Sequence, residues 1–408
     1  MKKPSPVSSH RKDFPSLARK QDGKPFVFFD GPAGSQVPRR VIDAIGSYYG
    51  RSNANTGGSF ATSAETDALL EQTRATVAEF LGAASARTIS FGANMTTLNY
   101  SLSKAIGRSL GKGDEIVITQ LDHEANRGPW LALREQKIIV NEVLLKSDGK
   151  LDYEDFRRKI TRRTKLVAMG LASNALGTVN DVARVREWSK AVGAWLLLDA
   201  VHYAPHFLID ASALDADFLL CSAYKFYGPH VGILYARDGL LEQLEPDRLR
   251  TQHQEAPYRI ETGTLNHAAI VGVKAAIEYI ASVGEGKMLR TRLASAFGKI
   301  HPHEFGLAKE IYNGLSTIHG VTVYGPSFES PLRAPTVSFT VDGFTAEQVC
   351  RKLAAKGIFA WDGHFYAIRA IEALGLMEKG GVTRVGALLY NTRQEVQRFL
   401  QEMGKLAK

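Results

Sequence analysis

Two side chains near the middle of the chain have the types and spacing of a chemical pair. Asp199 ends the apolar run 196–198, and Lys225 follows the apolar run 218–221. An acid at the end of one buried strand and a lysine just past the end of the next are what a pyridoxal phosphate site requires. The lysine holds the cofactor as a Schiff base. The acid keeps the ring nitrogen protonated, so that the ring absorbs the electrons of a carbanion.

Five further groups of residues could hold the rest of the same cofactor, and each follows a predicted strand. A loop that opens a helix can bind a phosphate, and an imidazole can stack on the pyridine face. The predicted phosphate ligands are Asn94, Met95 and Thr96 in the loop 92–97 together with Ser222, the stacking ring is His123, and the phenolate partners are Asn174 and His202. Each of these residues, taken alone, could have a purely structural role; a lone histidine, for example, is more often a core or surface residue than a ligand. Their order along the chain supports a single site.

The elements that must position these residues alternate along the chain. Short apolar strands and amphipathic helices follow one another from residue 25, which predicts an α/β fold with a mostly parallel sheet flanked by helices. Ligands of such sheets bind beyond the carboxyl ends of the strands, where Asp199 and Lys225 lie. The predicted strands are 88–91, 115–119, 137–143, 165–171, 195–199, 218–222 and 232–236, and the predicted helices are 65–81, 96–106, 182–191 and 267–282.

The pattern changes after residue 284, which predicts a smaller second domain. The elements expected there are a long helix at 288–315, strands at 321–324 and 336–341, a helix at 346–356 and a closing helix from Gln394. The predicted divisions are an N-terminal arm over 1–24, a large cofactor-binding domain over 25–284 and a small α+β domain over 285–408. The arm is polar, and it is expected to pack late or to stay mobile.

Composition and charge narrow the classes of function. The net charge is +9, but the basic residues are scattered and no aromatic residues interleave them, so nucleic-acid binding is not predicted. No apolar run approaches the roughly 18 residues of a membrane span, and the polar N-terminus lacks the apolar region of a signal peptide. Cys221 and Cys350 allow no disulfide framework and have no metal-ligand spacing. We therefore expect a cytoplasmic protein without a metal site.

Longer stretches resemble one enzyme family. They are FDGPAG at 29–34, DHEAN at 122–126, SNALGT at 173–178, DAVH at 199–202, SAYKFYGP at 222–229 and RVGALLYNT at 384–392. From about residue 25 to 400 the chain resembles the class V, fold type I pyridoxal phosphate enzymes, close to the cysteine desulfurases and selenocysteine lyases. The resemblance implies a seven-stranded sheet in the large domain, with Lys225 as the Schiff-base lysine, Asp199 as the ring-nitrogen partner and His123 as the stacking residue. Tyr224 stands where the family usually has a histidine, with its hydroxyl available to the phosphate.

The same resemblance implies two roles outside this pocket. The segment ETGTLN at 261–266 is similar to the family segment that donates a threonine to the phosphate of the neighbouring subunit. Thr264 is therefore the expected cross-subunit contact, and the protein is expected to be a homodimer. Arg384 matches the arginine that binds the substrate carboxylate, and its planar fork suits a bidentate pair. The expected substrate is an amino acid.

One loop departs from the desulfurase pattern. Desulfurases carry a loop cysteine that attacks the substrate sulfur and becomes a persulfide, whereas the matching stretch here, IFAWDGHFYA at 358–367, has Tyr366 in that position. A phenol cannot form a persulfide, because that step needs a thiolate. Trp361, His364 and Tyr366 are instead expected to shape the substrate pocket, with Tyr366 either packing or acting as an acid toward a leaving group.

These observations predict pyridoxal phosphate chemistry on an amino acid, through a Lys225 aldimine and a Cα carbanion. Loss of a β-substituent, as in C–S lyases, is favoured over transamination and epimerisation, which also occur among the related enzymes. A non-catalytic role, in which the fold binds the cofactor as a sensor or scaffold, is the alternative from a different class. The intact lysine, aspartate and arginine argue against it.

Overall fold

The computed structural model describes residues 6–330 and 332–407, so residues 1–5 of the predicted arm lie outside the described part. The rest of the arm and the residues after it form short elements: 3-10 helices at Pro6–Asp13 and Pro15–Ala18, a ribbon of β1 (Lys20–Gln21) and β2 (Lys24–Pro25), and then β3 (Val27–Phe28). Phe14 is buried against tyrosine rings of the main body, and Arg11 makes an ion pair of 2.8 Å with Glu395. The arm therefore packs on the main body through Val7, Phe14 and Leu17, whereas residues 18–24 are mostly exposed.

The larger sheet has seven strands within the described residues. They are β4 (Ile89–Gly92), β5 (Glu115–Thr119), β6 (Ile139–Val143), β7 (Thr164–Gly170), β8 (Trp195–Asp199), β9 (Phe218–Ser222) and β10 (Gly232–Ala236). Their spatial order is β4-β10-β9-β8-β7-β5-β6. Neighbours are parallel except at β10, which is antiparallel to both β4 and β9. The mostly parallel sheet expected from the sequence is confirmed.

Two apolar cores cover the two faces of this sheet. Leu196 and Leu198 of β8 belong to one core and Leu197 to the other, because successive side chains of a strand point to opposite faces. The helices up to this point are α1 (Arg39–Arg51), α2 (Ala61–Leu81), α3 (Met95–Gly107), α4 (Gly128–Leu131), α5 (Tyr153–Lys159), α6 (Val182–Ala191) and α7 (His267–Ser282). Among the described residues, no helix combines the length and apolar character that a membrane crossing needs.

A smaller antiparallel sheet follows, with its own helices. Its part of the chain contains α8 (Leu289–Ser316), β11 (Val321–Tyr324), β12 (Thr336–Val341), α9 (Ala346–Ala354), β13 (Ile358–Phe359), β14 (Trp361–Gly363), α10 (Ile368–Ala373), β15 (Val382–Gly386) and α11 (Arg393–Leu406). The strand order is β11-β12-β15-β14, and β13 pairs with β3 instead. The start of the chain thus adds a strand beside the C-terminal part, and the division at residues 284 and 285 stays a prediction.

Candidate active site

The carboxyl ends of several strands meet at one edge of the larger sheet. β5, β7, β8 and β9 run in parallel, and their ends lead to His123, Asn174, Asp199 and Lys225. β4 has the same direction as β9, because both are antiparallel to β10, and it leads to Asn94 at the same edge. Residues far apart in the chain are therefore neighbours here, as expected for ligand sites in such sheets.

A cavity opens at this edge, and every predicted cofactor residue except Thr264 lines it. The predicted residues in its wall are Asn94, Met95, Thr96, His123, Asn174, Asp199, His202, Ser222, Tyr224 and Lys225. Their individual roles stay predictions, and we call this space the cofactor cavity.

The N-terminus of α3 forms one corner of the cofactor cavity. Asn94 caps the helix, with its side-chain oxygen accepting from the Thr97 N–H at 2.9 Å. The Met95 N–H donates to the Ser222 hydroxyl at 3.1 Å, which ties the loop to the end of β9. Gly232 leaves room for this loop, since a Cβ there would lie 2.3 Å from the Asn94 backbone. A helix N-terminus favours a negative charge, so this corner can hold a phosphate.

Lys225 is almost fully buried at the cofactor cavity. Its Nζ donates to the carbonyl oxygens of Pro32 and Ala33 at 2.6 and 2.9 Å. Burial and the nearby Arg384 guanidinium lower the pKa of its amine to about 7, although Asp199 opposes the shift. A large fraction of the amine is therefore uncharged near neutral pH, which is the state that attacks a carbonyl or accepts a proton.

Two buried carboxyl groups line the cofactor cavity. Burial raises the pKa of Asp199 to about 6, while the N–H of Val201, which donates to its Oδ1 at 2.8 Å, and Lys225 favour the charged form. Burial also raises the pKa of Asp122 to about 7. A protonated ring nitrogen next to Asp199 would stabilise its carboxylate, because an opposite charge favours the ionised form.

His123 presents an uncharged ring to the cofactor cavity. Its Nδ1 accepts a hydrogen bond from the Ala125 N–H at 2.9 Å, so the proton of the neutral ring lies on Nε2. Burial, with Lys225 and Arg384 nearby, lowers the pKa of His123 to about 4. Its ring centroid is 5.4 Å from that of Tyr366. The ring is thus fixed in tautomer and position, as stacking on another ring requires.

His202 has one ring nitrogen in a hydrogen bond and one free. Its Nε2 lies 2.9 Å from the hydroxyl of Thr336 in β12, and its Nδ1 is buried without a hydrogen-bond partner. A buried polar atom without a partner is unfavourable, so a ligand oxygen would complete this wall. The free Nδ1, the helix terminus at Asn94 and the buried Lys225 fit the phenolate, phosphate and aldehyde groups of pyridoxal phosphate.

Arg384 lies buried beside the cofactor cavity. Its Nη1 donates to the backbone carbonyl of Asn174 at 2.8 Å, and the ring of Phe365 covers the guanidinium at 3.9 Å. Burial lowers the pKa of Arg384 to about 9, and the carboxylate of Asp30 opposes this shift. Its Nε is buried without a hydrogen-bond partner, and the residue lines the outer cavity described below. The side-chain amide of Asn174 donates to the Phe365 carbonyl at 2.9 Å, which leaves one of its two N–H bonds for a cofactor oxygen.

A wider cavity of about 530 Å³ extends from Lys225 and Arg384, and we call it the outer cavity. Its volume is typical of small-molecule sites. Tyr366 and Trp361 line it and are exposed. His364, the third predicted pocket residue of this loop, lies in neither cavity wall, but its ring is 6.1 Å from that of Tyr366.

Thr264 lies in a separate cavity on the other side of the phosphate loop. That cavity is also lined by Gly92, Ala93 and His230. Tyr224 connects the two spaces, because it lines the cofactor cavity and its ring stacks on His230 at 4.7 Å. Thr264 is thus not brought into the cofactor cavity of its own chain, and its contact across a subunit interface stays a prediction.

Both cysteines are buried away from the outer cavity. Cys221 lies in β9 and Cys350 in α9, and neither lines that cavity. Burial raises the pKa of Cys350 to about 12 and that of Cys221 well above its ordinary range. Neither thiol is therefore available as a nucleophile.

Four residues of the site were not assigned a role from the sequence. Asp30 and Asp122 stand inside stretches that carry the family resemblance, so a signal for them was present. Thr336 and Phe365 come from distant segments, and no pattern in the sequence pairs them with His202 and Arg384.

The fold and the site match those of pyridoxal phosphate enzymes with the cysteine desulfurase fold. The family model of the class-V aminotransferases matches residues 27–399. The chain therefore belongs to the class-V aminotransferase family, and its cofactor is pyridoxal 5'-phosphate.

The relatives cover nearly the whole chain. A probable cysteine desulfurase from Halalkalibacterium halodurans is 32% identical, over 97% of this chain and 96% of its own. A cysteine desulfurase from Serratia proteamaculans is 32% identical, over 99% and 98%. Among solved structures, the apo cysteine desulfurase from Thermococcus onnurineus NA1 is 29% identical with a TM-score of 0.89, and it covers 98% of this chain and 97% of its own. The Escherichia coli cysteine desulfurase CsdA, an S-sulfonic acid form, is 26% identical with a TM-score of 0.84 and covers 98% of each.

Proposed function

We propose that this enzyme removes a β-substituent from an amino acid, a β-elimination of the C–S lyase type. The observation that carries the proposal is the position of Tyr366. It lines the same cavity as Lys225 and Arg384, and the sequence resemblance gives it the position of the loop cysteine in the desulfurase pattern. The site therefore has the parts for activating an amino acid but no thiolate to receive sulfur, since both cysteines are buried elsewhere.

Pyridoxal phosphate, when bound, supplies an electron sink that acidifies the Cα proton of an amino acid. Arg384 binds the substrate carboxylate through the N–H groups that Asn174 does not use. Lys225, with a pKa of about 7, accepts the Cα proton and can return it. With the cofactor bound, Asp199 would stabilise a positive charge on the ring nitrogen, and His123 would stack on the ring.

The relatives suggest a second candidate, because several are named cysteine desulfurases. A desulfurase that forms a persulfide would need a thiolate at the outer cavity, and Tyr366 cannot supply one. Transamination and epimerisation use the same groups around Lys225, and they remain alternatives to elimination. They differ in the fate of the carbanion, which a product assay distinguishes.

The test is a product and absorbance screen of the purified protein with pyridoxal phosphate and a panel of L- and D-amino acids. We expect ammonia and a keto acid in equal amounts. A keto acid without ammonia would identify transamination, and solvent deuterium at Cα without net product would identify epimerisation. A cofactor band that no amino acid perturbs would contradict the enzymatic proposal and favour the non-catalytic one.

Replacement of the lysine tests the site itself. We expect Lys225→Ala to abolish the visible absorption band of the bound cofactor and the elimination, because no other amine lines the cofactor cavity within the described residues. Lys104→Ala, which removes an exposed lysine of α3, is the matched control and should keep both. A band that survives in Lys225→Ala would refute the assignment.

We further propose that the protein is a cytoplasmic homodimer with Thr264 at the phosphate of the neighbouring subunit. The supporting observation is that Thr264 and the phosphate loop line one cavity, which is open among the described residues. No partner other than a second copy and a small-molecule substrate is proposed.

A further inference from the structure

Aromatic side chains are concentrated around the outer cavity. Tyr100, Trp361 and Tyr366 are 44%, 50% and 66% exposed, and Phe365 lies beside them in the same wall. We call these four residues the aromatic mouth. Exposure of apolar side chains to water is unfavourable. A group of exposed apolar residues around a cavity therefore often marks a binding site.

The backbone of the aromatic mouth is held in a strained conformation. Phe365 and Tyr366 have φ angles of 52° and 59°, in the left-handed region that bulky residues avoid. Two other loops hold their carbonyl oxygens: the side-chain N–H of Asn174 donates to that of Phe365 at 2.9 Å, and the backbone N–H of Glu124 donates to that of Tyr366 at 2.7 Å. Strain of roughly 1–3 kcal/mol per residue is retained mainly where function requires the geometry. We therefore interpret the positions of the Phe365 and Tyr366 rings as functional.

Apart from Lys225 and Arg384, whose guanidinium lies 3.9 Å from the ring of Phe365, the wall of the outer cavity presents no unpaired charge among the described residues. The carboxylate of Glu124 is paired with Arg127 at 2.9 Å, and the low pKa of His123, about 4, keeps that ring neutral. The two cationic residues, Lys225 and Arg384, also line the outer cavity. The aromatic mouth therefore suits an uncharged group, and the charged groups of an amino acid belong near Lys225 and Arg384.

The position of Arg384 sets the direction of the substrate. With the amino group at Lys225 and the carboxylate at Arg384, the remaining large substituent of Cα extends into the outer cavity. Trp361 on β14 lies directly opposite Arg384 on β15, and side chains of such cross-strand pairs are neighbours. Trp361 is therefore next to the arginine, in the wall of the cavity that a side chain on Cα would enter.

We propose that the aromatic mouth is a subsite for an aromatic group on the substrate side chain. This rests on the function proposed above and specifies its substrate class: amino acids whose β-carbon carries an aryl group through sulfur, the aryl thioethers of cysteine. For S-phenyl-L-cysteine, the Cα–H and Cβ–S bonds break and the sulfur leaves with the bonding electron pair. Lys225 takes the Cα proton. With one water, the products are benzenethiol, pyruvate and ammonium, so atoms and charge balance and no oxidant is needed.

The test compares three amino acids on the enzyme reconstituted with pyridoxal phosphate, using the cofactor absorbance to measure binding. L-Alanine lacks the ring, L-phenylalanine has the ring without a leaving group, and S-phenyl-L-cysteine has both. We expect the two aromatic compounds to bind at least roughly tenfold more tightly than alanine, because they bury a phenyl ring against other rings. Equal affinities for alanine and phenylalanine would overturn the subsite.

The two proposals fail in different ways. Tight binding of phenylalanine with no pyruvate from S-phenyl-L-cysteine would support the aromatic subsite and contradict the elimination. Pyruvate from small β-substituted amino acids, with no preference for the aromatic compounds, would support the elimination and overturn the subsite.

Trp361 provides the decisive variant, since its exposed side chain can be shortened without opening the core. We expect Trp361→Ala to weaken phenylalanine binding about fivefold or more while alanine binding is unchanged, and Trp361→Phe to restore most of it. Tyr49→Ala removes an equally exposed aromatic ring outside the outer cavity and should change neither affinity. An equal loss for both amino acids in Trp361→Ala would overturn the assignment.

Discussion

At the scale of single residues, the reactivity of Lys225 is set by its surroundings. Removal from water disfavours the ammonium form, and the positive charge of Arg384 acts in the same direction. The lysine therefore has a folded pKa of about 7 instead of the ordinary 10.5. The buried pocket disfavours the charged form of the lysine, so the neutral amine dominates above about pH 7.

This shift predicts the pH dependence of cofactor attachment. The rate at which the apo-protein takes up pyridoxal phosphate should rise as the pH increases through about 7 and level off near pH 8–9, because only the neutral amine attacks the aldehyde. Stopped-flow absorbance measures this rate. Arg384→Gln should move the midpoint upward, since it removes a positive charge near the amine. A midpoint near 10 in the native protein would contradict the assigned environment.

Arg384 itself is predicted to act mainly in substrate binding. Loss of its charge-assisted hydrogen bonds in Arg384→Ala should raise KM roughly 10- to 100-fold, with a smaller change in kcat. Arg384→Lys should recover only part of the affinity, because an ammonium cannot form the planar bidentate pair. Steady-state kinetics with an amino acid and with its methyl ester gives the comparison. If the ester and the acid respond equally, Arg384 does not bind the carboxylate.

At the scale of elements, β12 of the small sheet contacts His202 in the wall of the cofactor cavity. Thr336 stands on that strand, and its hydroxyl is 2.9 Å from Nε2 of His202, which follows β8 of the larger sheet. If the hydroxyl donates, the proton of the neutral imidazole must lie on Nδ1, the buried ring nitrogen that has no hydrogen-bond partner. The β12 strand would then orient a donor toward the cofactor phenolate.

This contact predicts the effect of an isosteric change. Thr336→Val keeps the shape of the side chain but removes the hydroxyl, so the tautomer of His202 is no longer fixed. We expect the pH midpoint of the cofactor absorbance to shift by about 0.5–1 unit, the equivalent of one hydrogen bond. Thr336→Ser retains the hydroxyl and should keep the native midpoint. A normal titration in Thr336→Val would show that Thr336 has only a packing role.

At the scale of the whole molecule, the expected homodimer can be tested through its active sites. Lys225→Ala removes the lysine from one chain, and Thr264→Val removes the hydroxyl that would reach the other chain's phosphate. In a mixed dimer, the site with the intact lysine would receive the intact threonine from its partner. We therefore expect the two variants, unfolded and refolded together, to give more activity than either variant alone.

A second mixture provides the control for this experiment. Lys225→Ala and Arg384→Ala both alter residues that line the outer cavity of a single chain, so a mixed dimer contains no complete site. Mixing these variants should restore nothing. If the first mixture also remains inactive, Thr264 does not act across the interface.

Much of the larger sheet could be predicted from the sequence because its signals are local. The strands 195–199, 218–222 and 232–236 and the helices 182–191 and 267–282 have the predicted bounds. Helix α1 was not among the predicted helices, although Val41, Ile45 and Tyr48 recur at helical spacing. The short strands β3, β13 and β14 were missed because two or three residues carry no periodicity.

The sequence by itself determined the cofactor, the order of its candidate ligands and the edge of the sheet where they meet. The carboxyl ends of parallel strands lie at one edge of the sheet. Residues that directly follow such strands are therefore predicted to be close together in space. Only the tertiary structure decided the pKa of Lys225, the pairing of His202 with Thr336 and the cover of Phe365 on Arg384. These depend on burial and on contacts between distant segments, and the free energy of desolvation is set by everything that surrounds a group, which no local pattern encodes.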